Sequence, residues 1–227
     1  MSFTALVTTV AAVAALWFTG QSLRATNNQY DLAQQTALTD RFQKAAELLS
    51  SESADTRIAA VYLFERLMQD SPKDHPVILS VLTSFLRTRS SAADCDRKAT
   101  PDVQVALTVV GRRQTGRDTE RVNLEGACLA GRIFANTHFA KASFRGTNLA
   151  GAILDRGDLA GADFLETDLS RSSIDATTVL EGAEFAGLSA SDLTGADLSG
   201  ADLTGVYYDR STVWPAGFTP PPSRGAR

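Results

Sequence analysis

The sequence reads GADFLETDLS at residues 161–170 and LTGADLSGADLTG at residues 193–205. In both stretches a bulky apolar residue returns at every fifth position, and the residue two places before it is small. A short fixed period of this kind is the signature of a repeat architecture. The bulky positions are Leu124, Leu129, Phe134, Phe139, Phe144, Leu149, Leu154, Leu159, Phe164, Leu169, Ile174, Leu180, Phe185, Leu193, Leu198, Leu203 and Tyr208.

The blocks Ala162-Asp163-Phe164, Ala196-Asp197-Leu198 and Ala201-Asp202-Leu203 resemble the A(D/N)LxG motif of the pentapeptide-repeat family. The resemblance implies a right-handed quadrilateral β-helix over residues 122–208, with one quintet on each side and the bulky and small residues pointing inward. Residues twenty apart would then stack along the axis at about 4.8 Å. Because members of the family have very different roles, the fold alone does not give the function.

Three irregularities interrupt the pattern. Ile174 is followed by Leu180 after six positions, and Phe185 by Leu193 after eight. We therefore expect a bulge near residues 175–178 and an irregular corner near residues 187–190. Arg132 occupies a position that needs a small residue, so either the first coil is irregular or the guanidinium leaves through an open end.

The residues just before the bulky centres should point outward, and they become acidic along the chain. Residues 122–208 contain 12 Asp or Glu against 5 Lys or Arg, although the whole chain has a net charge of only −4. Consecutive quintets lie on different sides, so these aspartates are distributed around the solenoid and do not form a metal cage. We therefore expect the carboxylates to be solvated or to cap backbone N–H groups, with ion binding as the less favoured alternative. The candidate partner surface consists of Ile133, Ile153, Asp158, Asp163, Asp168, Asp192, Asp197 and Asp202.

The N-terminal stretch Phe3–Gly20 contains no charged residue and ends with Trp17 and Phe18. It is just long enough to span a bilayer, and it lacks the basic start and cleavage site of a secretory signal. We therefore predict a transmembrane anchor at residues 1–24, with a buried apolar helix as the alternative. Arg24 follows the stretch, so the positive-inside tendency places the rest of a single-pass protein in the cytoplasm.

Between residues 25 and 115, apolar residues recur at the three- and four-residue steps of helices. After a first helix, we expect a second that is capped by Asp55 and a third that is opened by Pro76, as an antiparallel pair that weakly resembles a HEAT hairpin. A short capping helix should begin at Pro101 and end at Gly111. The sequence thus predicts a small all-α region before the solenoid.

The arginines that follow this helix are open to two interpretations. Arg112, Arg113, Arg117 and Arg121 could form a basic patch that faces lipid headgroups or nucleic acid. They could instead lie in a connector whose cations offset helix carbonyls, which we favour because Asp118 and Glu120 lie among them.

The chain contains two cysteines, Cys95 and Cys128, and their spacing fits neither a disulfide framework nor a zinc site. We expect free thiols in a reducing compartment. At the other end, within residues 209–227, Trp214 could lie over the last open coil. The Pro-rich and Arg-containing stretch of residues 219–227 is expected to be disordered.

The chemical inventory is sparse. His75 and His138 are the two histidines, the glycines sit at quintet ends, and neither a phosphate-binding loop nor a nucleophile motif occurs in the sequence. We expect no catalytic residues, no cofactor, no metal site and no direct binding of nucleic acid.

A second resemblance covers nearly the full chain. The apolar N-terminus, Thr39-Asp40-Arg41-Phe42, Asp74-His75-Pro76-Val77 and Pro101-Asp102-Val103-Gln104 together resemble membrane-associated pentapeptide-repeat proteins of actinobacteria. This resemblance assigns no biochemical role. The arrangement of an anchor, a helical pair and a flat-faced solenoid favours a membrane-tethered, non-enzymatic scaffold for an unidentified protein partner. The alternative is a DNA-mimicking protein that binds DNA gyrase, a type II topoisomerase, because some members of the family resemble B-DNA in size and charge.

Overall fold

A computed structural model of the chain describes residues 3–91, 95, 100–185, 191–198 and 200–224. Its contacts divide the chain into two compact units, Met1–Lys44 and Ala45–Arg227. The helices in the described residues are α1 (Phe3–Leu49), α2 (Ala54–Asp70), α3 (His75–Arg89) and α4 (Pro101–Gly111), followed by a 3-10 turn at Thr115–Arg117. The repeats come after this turn.

Helix α1 runs without a break from Phe3 to Leu49. Within the described residues, no helix is both long enough and apolar enough to cross a membrane. The prediction of a transmembrane anchor at residues 1–24 is therefore wrong. The predicted placement as a single-pass membrane protein with its remainder in the cytoplasm is wrong with it. The stretch Phe3–Gly20 lacks charge, but nine of its eighteen residues are Ala or Thr, which favour a bilayer less than Leu, Ile, Phe or Val do.

Helices α2, α3 and α4 pack against one another. Phe64, Ile78, Leu82 and Leu107 are fully buried between them. Helix α2 is capped by Ser53, whose side chain accepts a hydrogen bond from the N–H of Thr56, instead of by the expected Asp55. Ser53 has the extended backbone that an N-cap needs, whereas residue 55 already lies in the first helical turn.

The repeats form a four-faced solenoid in which each residue of a face pairs with the equivalent residue one coil further on. These pairs are isolated parallel bridges. In the described part of the repeats, each bridge involves a single residue and none is extended into a longer strand. We number the faces 1 to 4 in chain order. They consist of Asn123–Ser143–Asp163–Glu184–Tyr207, Cys128–Asn148–Asp168–Asp192–Val213, Ile133–Ile153–Ser173–Asp197 and His138–Asp158–Val179–Asp202.

The interior is filled by the central residues of the quintets. Those from Leu124 to Leu203 are buried, whereas Tyr208 is half-buried. The rings of Phe144, Phe164 and Phe185 stack in one column, with centroid distances of 5.1 and 5.2 Å and interplanar angles of 5° and 6°. Each buried side chain of this size stabilises the fold by roughly 1.5 to 3 kcal/mol, so the columns dominate the stability of the solenoid.

The first slip of the repeat is a one-residue bulge. Ile153 pairs with Ser173, twenty positions on, whereas Asp158 pairs with Val179, twenty-one positions on. Asp175 organises the bulge: its carboxylate accepts hydrogen bonds from the N–H groups of Arg156 and Thr177 and from the hydroxyl groups of Thr177 and Thr178. The irregular corner expected at residues 187–190 lies outside the described residues.

The sequence predicts that residues 219–227 are disordered. The described part of this segment, up to residue 224, instead forms defined contacts. The hydroxyl of Tyr208 donates a 2.6 Å hydrogen bond to the carbonyl of Pro221. The N–H of Arg224 donates to the carbonyl of Val206, and its guanidinium lies 2.5 Å from Glu184. An extended Pro-rich segment leaves its carbonyls free to accept such bonds, and residues 218–224 therefore pack back onto the last coil.

Candidate interaction surface

Two isoleucines form an apolar patch on face 3. Ile133 and Ile153 are paired one coil apart, and they remain 50% and 38% exposed. Each precedes a buried quintet centre, and because side chains alternate along an extended chain, it points outward. Gln104 fixes the backbone of Ile133: its amide accepts from the N–H of Ile133 at 3.1 Å and donates to the carbonyl at 2.8 Å. The patch is therefore held on a rigid support.

The six aspartates of the candidate surface are distributed over all four faces. Asp163 lies on face 1, Asp168 and Asp192 lie on face 2, Asp197 lies on face 3, and Asp158 and Asp202 lie on face 4. Of the six, only the two on face 2 are neighbours in a column. In the described residues, His, Cys, Asp and Glu form no group that could hold a metal ion.

Most of these carboxylates have a local partner. Asp158, Asp163, Asp168, Asp192 and Asp202 each accept a hydrogen bond of 2.8 to 3.2 Å from the N–H two residues later. At Asp202, hydrogen bonds from the hydroxyl and the N–H of Thr204 lower the pKa of the carboxyl. This pattern explains why Asp recurs before the centre of the quintet: its short side chain provides an acceptor for a backbone N–H at the corner of the coil.

Basic side chains neutralise part of the acidic surface. Arg145 lies 3.5 Å from Asp163 on face 1, and Arg224 lies 2.5 Å from Glu184 on the same face. His138 lies 3.9 Å from Asp158 on face 4. Face 1 therefore carries mixed charge, whereas Asp168 and Asp192 of face 2 lie in adjacent coils.

Three faces of the first coil are closed by the helical region, and we call these contacts the N-terminal closure. On face 2, the carbonyl of Ser90 accepts from the N–H of Cys128, and Ser91 pairs with Ala127. On face 3, the amide of Gln104 contacts Ile133 as described above. On face 4, the carbonyl of Gly111 accepts from the N–H of His138 at 2.7 Å.

Face 4 requires a close approach of the end of α4. A Cβ atom at Gly111 would lie 2.5 Å from the Cγ2 atom of Thr137, so only glycine fits there. Arg113 then extends the contact: its Nη1 donates to the carbonyl groups of Val110 and His138. Its Nη2 lies 2.7 Å from Asp118, which also contacts the Nε2 of the buried His75 at 2.9 Å.

The other arginines of the connector also have partners. Arg112 forms two hydrogen bonds with Glu65, and these raise the pKa of its guanidinium. Arg117 donates to the carbonyl of Met68, and Arg121 lies 3.6 Å from Glu125. These contacts favour the connector interpretation over a basic patch for lipid or nucleic acid.

A second cluster of buried polar residues joins the start of α4 to the repeats. Burial raises the pKa of the Asp102 carboxyl, but hydrogen bonds from Arg57 and Thr100 and the charge of Arg57 outweigh it, so the pKa is lowered. The Nε of Arg57 lies 2.6 Å from this carboxylate. Arg132 donates to the carbonyl of Thr100, and burial lowers the pKa of its guanidinium. Its side chain thus ends within the closure, at 8% exposure, instead of reaching open solvent.

The expectation of free thiols is wrong, because Cys95 and Cys128 form a disulfide with a Cα–Cα distance of 5.3 Å. Their separation of 33 residues carried no sign of this pairing. The two residues meet because Ser90–Ser91 and the first quintet of face 2 lie side by side. A sequence pattern could not reveal that contact, since it depends on how the helical region docks onto the coil.

An open groove of about 580 Å³ lies between the end of α1, the start of α2 and α3. Its lining includes the apolar residues Leu49, Val81 and Phe85 and several serines. Arg57 also lines it, but its Nη1 donates to the carbonyls of Ser51 and Glu52. This arrangement brings together no acid, base and nucleophile.

A match to a protein-family model agrees with the repeat architecture. Residues 120–156 and 178–207 match the family model described as pentapeptide repeats, in 8 copies. A comparison with curated proteins finds no significant match.

Three solved structures of pentapeptide-repeat proteins or their relatives resemble the repeats. Rfr23 from the cyanobacterium Cyanothece 51142 is 28% identical, with 44% of this chain and 69% of that chain covered and a TM-score of 0.39. The protein alr5209 from Nostoc Pcc 7120 is 27% identical, with coverages of 44% and 78% and a TM-score of 0.41. QnrB1, a plasmid-mediated fluoroquinolone resistance protein, is 21% identical, with coverages of 40% and 52% and a TM-score of 0.28.

Proposed function

We propose that this chain, whose repeat region belongs to the pentapeptide-repeat family, is a non-enzymatic scaffold that binds a protein partner on the outside of its solenoid. The exposed pair of Ile133 and Ile153 on face 3 is the observation that carries this proposal. Two adjacent branched apolar side chains on one rigid face are a suitable anchor for a partner, because little conformational entropy is lost when they are covered.

The rest of face 3 sets the chemistry of the partner. Below Ile153 the column continues with the half-buried Ser173 and the exposed Asp197. The surface thus changes from apolar to acidic along one face, which suits a partner that presents an apolar anchor followed by a basic side chain.

The partner can be captured with a photo-crosslinking amino acid at position 153 of the full-length chain, expressed in its native cells. Binding of the captured partner to the Ile133→Ser, Ile153→Ser double variant should then be weaker by about tenfold or more, as for the loss of an apolar anchor. Val213→Ser is the matched control, since Val213 is 44% exposed but lies on face 2. Unchanged binding by the double variant would contradict the proposal.

The second candidate is a DNA-mimicking protein that binds DNA gyrase, and the acidic repeat region favours it. Two observations weigh against it. The solenoid has about four coils and is roughly 20 Å long at the strand spacing, and several of its carboxylates are engaged by N–H groups or arginines.

A supercoiling assay with purified gyrase separates the two candidates. The scaffold hypothesis expects no inhibition. Inhibition by the native chain that is lost in the Asp168→Asn, Asp192→Asn variant would favour the mimic instead, because these two acids are the neighbouring pair on face 2.

A further inference from the structure

The Cys95–Cys128 disulfide lies at the edge of face 2. The N–H of Cys128 donates a 2.5 Å hydrogen bond to the carbonyl of Ser90, and Ala127 forms an antiparallel bridge with Ser91. The segment Ser90–Ser91 therefore covers this edge as a short extra strand would. The disulfide ties the chain that follows this strand to the coil that the strand covers.

The remaining contacts of the N-terminal closure do not involve sulfur. Face 3 is held by two hydrogen bonds of the Gln104 amide, and face 4 by the carbonyl of Gly111 and the guanidinium of Arg113. All three residues belong to α4 or its C-terminal end, which is anchored in the helical core by Val103, Ala106 and Leu107. Opening the disulfide therefore leaves faces 3 and 4 closed.

We propose that the Cys95–Cys128 disulfide is a redox-controlled latch for face 2 alone. Both cysteines are half-buried and not enclosed in the core. A dithiol reductant attacks one sulfur as its thiolate and forms a mixed disulfide, and its second thiol then releases the protein sulfur. The dithiol gives up two electrons and two protons and becomes a disulfide, while Cys95 and Cys128 leave as thiols.

Reduction has a local consequence. Without the covalent tie, Ser90–Ser91 is held to the coil by non-covalent contacts, and a two-stranded edge of this length is marginal in water. The Cys128 N–H then loses its acceptor, the carbonyl of Ser90, and becomes exposed at a sheet edge. The latch is thus a switch that uncovers one face while the solenoid itself persists.

Residue-resolved amide hydrogen exchange on the full-length protein tests the latch, with and without dithiothreitol. On reduction, the exchange rate at Cys128, corrected for its intrinsic rate, should rise by about tenfold or more, as expected for a local opening. The rates at Ile133 and His138 should change by less than about twofold, because Gln104 and Gly111 still hold them. Cys95→Ser should reproduce the reduced pattern without dithiothreitol, and dithiothreitol should add nothing.

A complementary variant is Gln104→Leu, which should raise exchange at Ile133 in both redox states. Three outcomes would overturn the latch. The first is free thiols in protein purified without reductant, and the second is unchanged exchange at Cys128 on reduction. The third is loss of protection on all three faces together, which would make the disulfide a structural staple of the whole fold.

Discussion

The two ends of the solenoid differ in the contacts that close them: polar groups dominate at the N-terminal end, whereas aromatic rings join the hydrogen bonds of Pro221 and Arg224 at the C-terminal end. At the N-terminal end, polar groups contact the first coil one backbone group at a time: the carbonyl of Ser90, the amide of Gln104 and the guanidinium of Arg113. At the C-terminal end, rings pack over the last coil. Trp214 lies 6.0 Å from Phe185, 5.1 Å from Tyr208 and 5.4 Å from Phe218 between ring centroids.

This difference shows that an open coil presents two separate problems. Its edge carries N–H and C=O groups without a next coil, and its interior exposes apolar side chains. Polar contacts solve the first problem group by group, so each of them should be sensitive to a single substitution. Ring packing solves the second problem collectively, so losing one ring should leave the edge pairing of Val213 with Asp192 in place.

The largest effect is expected for Arg113→Met. The substitution leaves the carboxylate of Asp118 without its buried cation and the carbonyl of His138 without its donor. Because removing the cation of a buried ion pair is costly even though His75 still contacts Asp118, the free energy of unfolding should fall by roughly 3 kcal/mol, measured by urea denaturation. Arg112→Met is the control: its half-exposed pair with Glu65 should contribute less than about 1 kcal/mol. Equal losses in the two variants would remove the distinction between buried and exposed contacts.

Trp214→Ala should have the next largest effect. The indole is half-buried and contacts three rings, so its loss should cost about 2 to 3 kcal/mol of unfolding free energy. Trp17→Ala is the matched control, because Trp17 is 65% exposed and its loss should leave stability unchanged. A Trp214→Ala variant as stable as the native chain would show that ring packing does not close this end.

Gln104→Leu should have a smaller effect. It removes both hydrogen bonds to the backbone of Ile133 and should cost about 1 to 2 kcal/mol. Gln104→Glu keeps an acceptor for the N–H but loses the donor to the carbonyl, so its stability should lie between that of the native chain and that of Gln104→Leu. The opposite order of the two variants in urea denaturation would exclude a pairing role for this amide.

The smallest effect is expected at low pH, and it concerns the bulge at Asp175, which lies between the two ends of the solenoid. Slight desolvation raises the pKa of Asp175, but hydrogen bonds from Arg156, Thr177 and Thr178 outweigh it and lower the pKa from 3.8 to about 2. Because the folded-state pKa is depressed, the stabilisation is present above the unfolded value and is lost as the pH falls through about 2. NMR titration of this carboxyl should show a midpoint near pH 2, and Asp175→Asn should abolish the acid-dependent shift of the Arg156 amide.

The sequence predicts the interior of this molecule far better than its ends. A period of five residues is enough to place Phe144, Phe164 and Phe185 in one column, because the same local geometry recurs in every quintet. The bulge near Asp175 can also be predicted from the sequence, because one added residue shifts the period. These features depend on contacts between equivalent positions of successive coils, and those positions recur at a fixed period in the sequence.

The closures depend on contacts that occur once. Gln104 meets Ile133 and Cys95 meets Cys128 across 29 and 33 residues, and neither pair follows a period. Arg132 gave a partial signal, because a bulky cation at a small-residue position indicated an irregular first coil. Its contact with Thr100 nevertheless required the docked position of α4. The N-terminal apolar stretch misled for a different reason: its lack of charge suggested a membrane span, but half of its residues are Ala or Thr, which favour a bilayer less than Leu, Ile, Phe or Val do.

The ladder of bridges also makes the length of the solenoid a modular property. Each coil of the regular part pairs with the next coil along the axis, as Ser143 does with Asp163. Excising residues 144–163 would join Ser143 to Phe164, which occupies the same position in its quintet as Phe144, and would shorten the solenoid by one rise of about 4.8 Å. Tandem duplication of the same block would lengthen it equally, and both closures would be retained. For evolution and for protein engineering, the area of the outer faces and the chemistry of the ends are therefore independent variables.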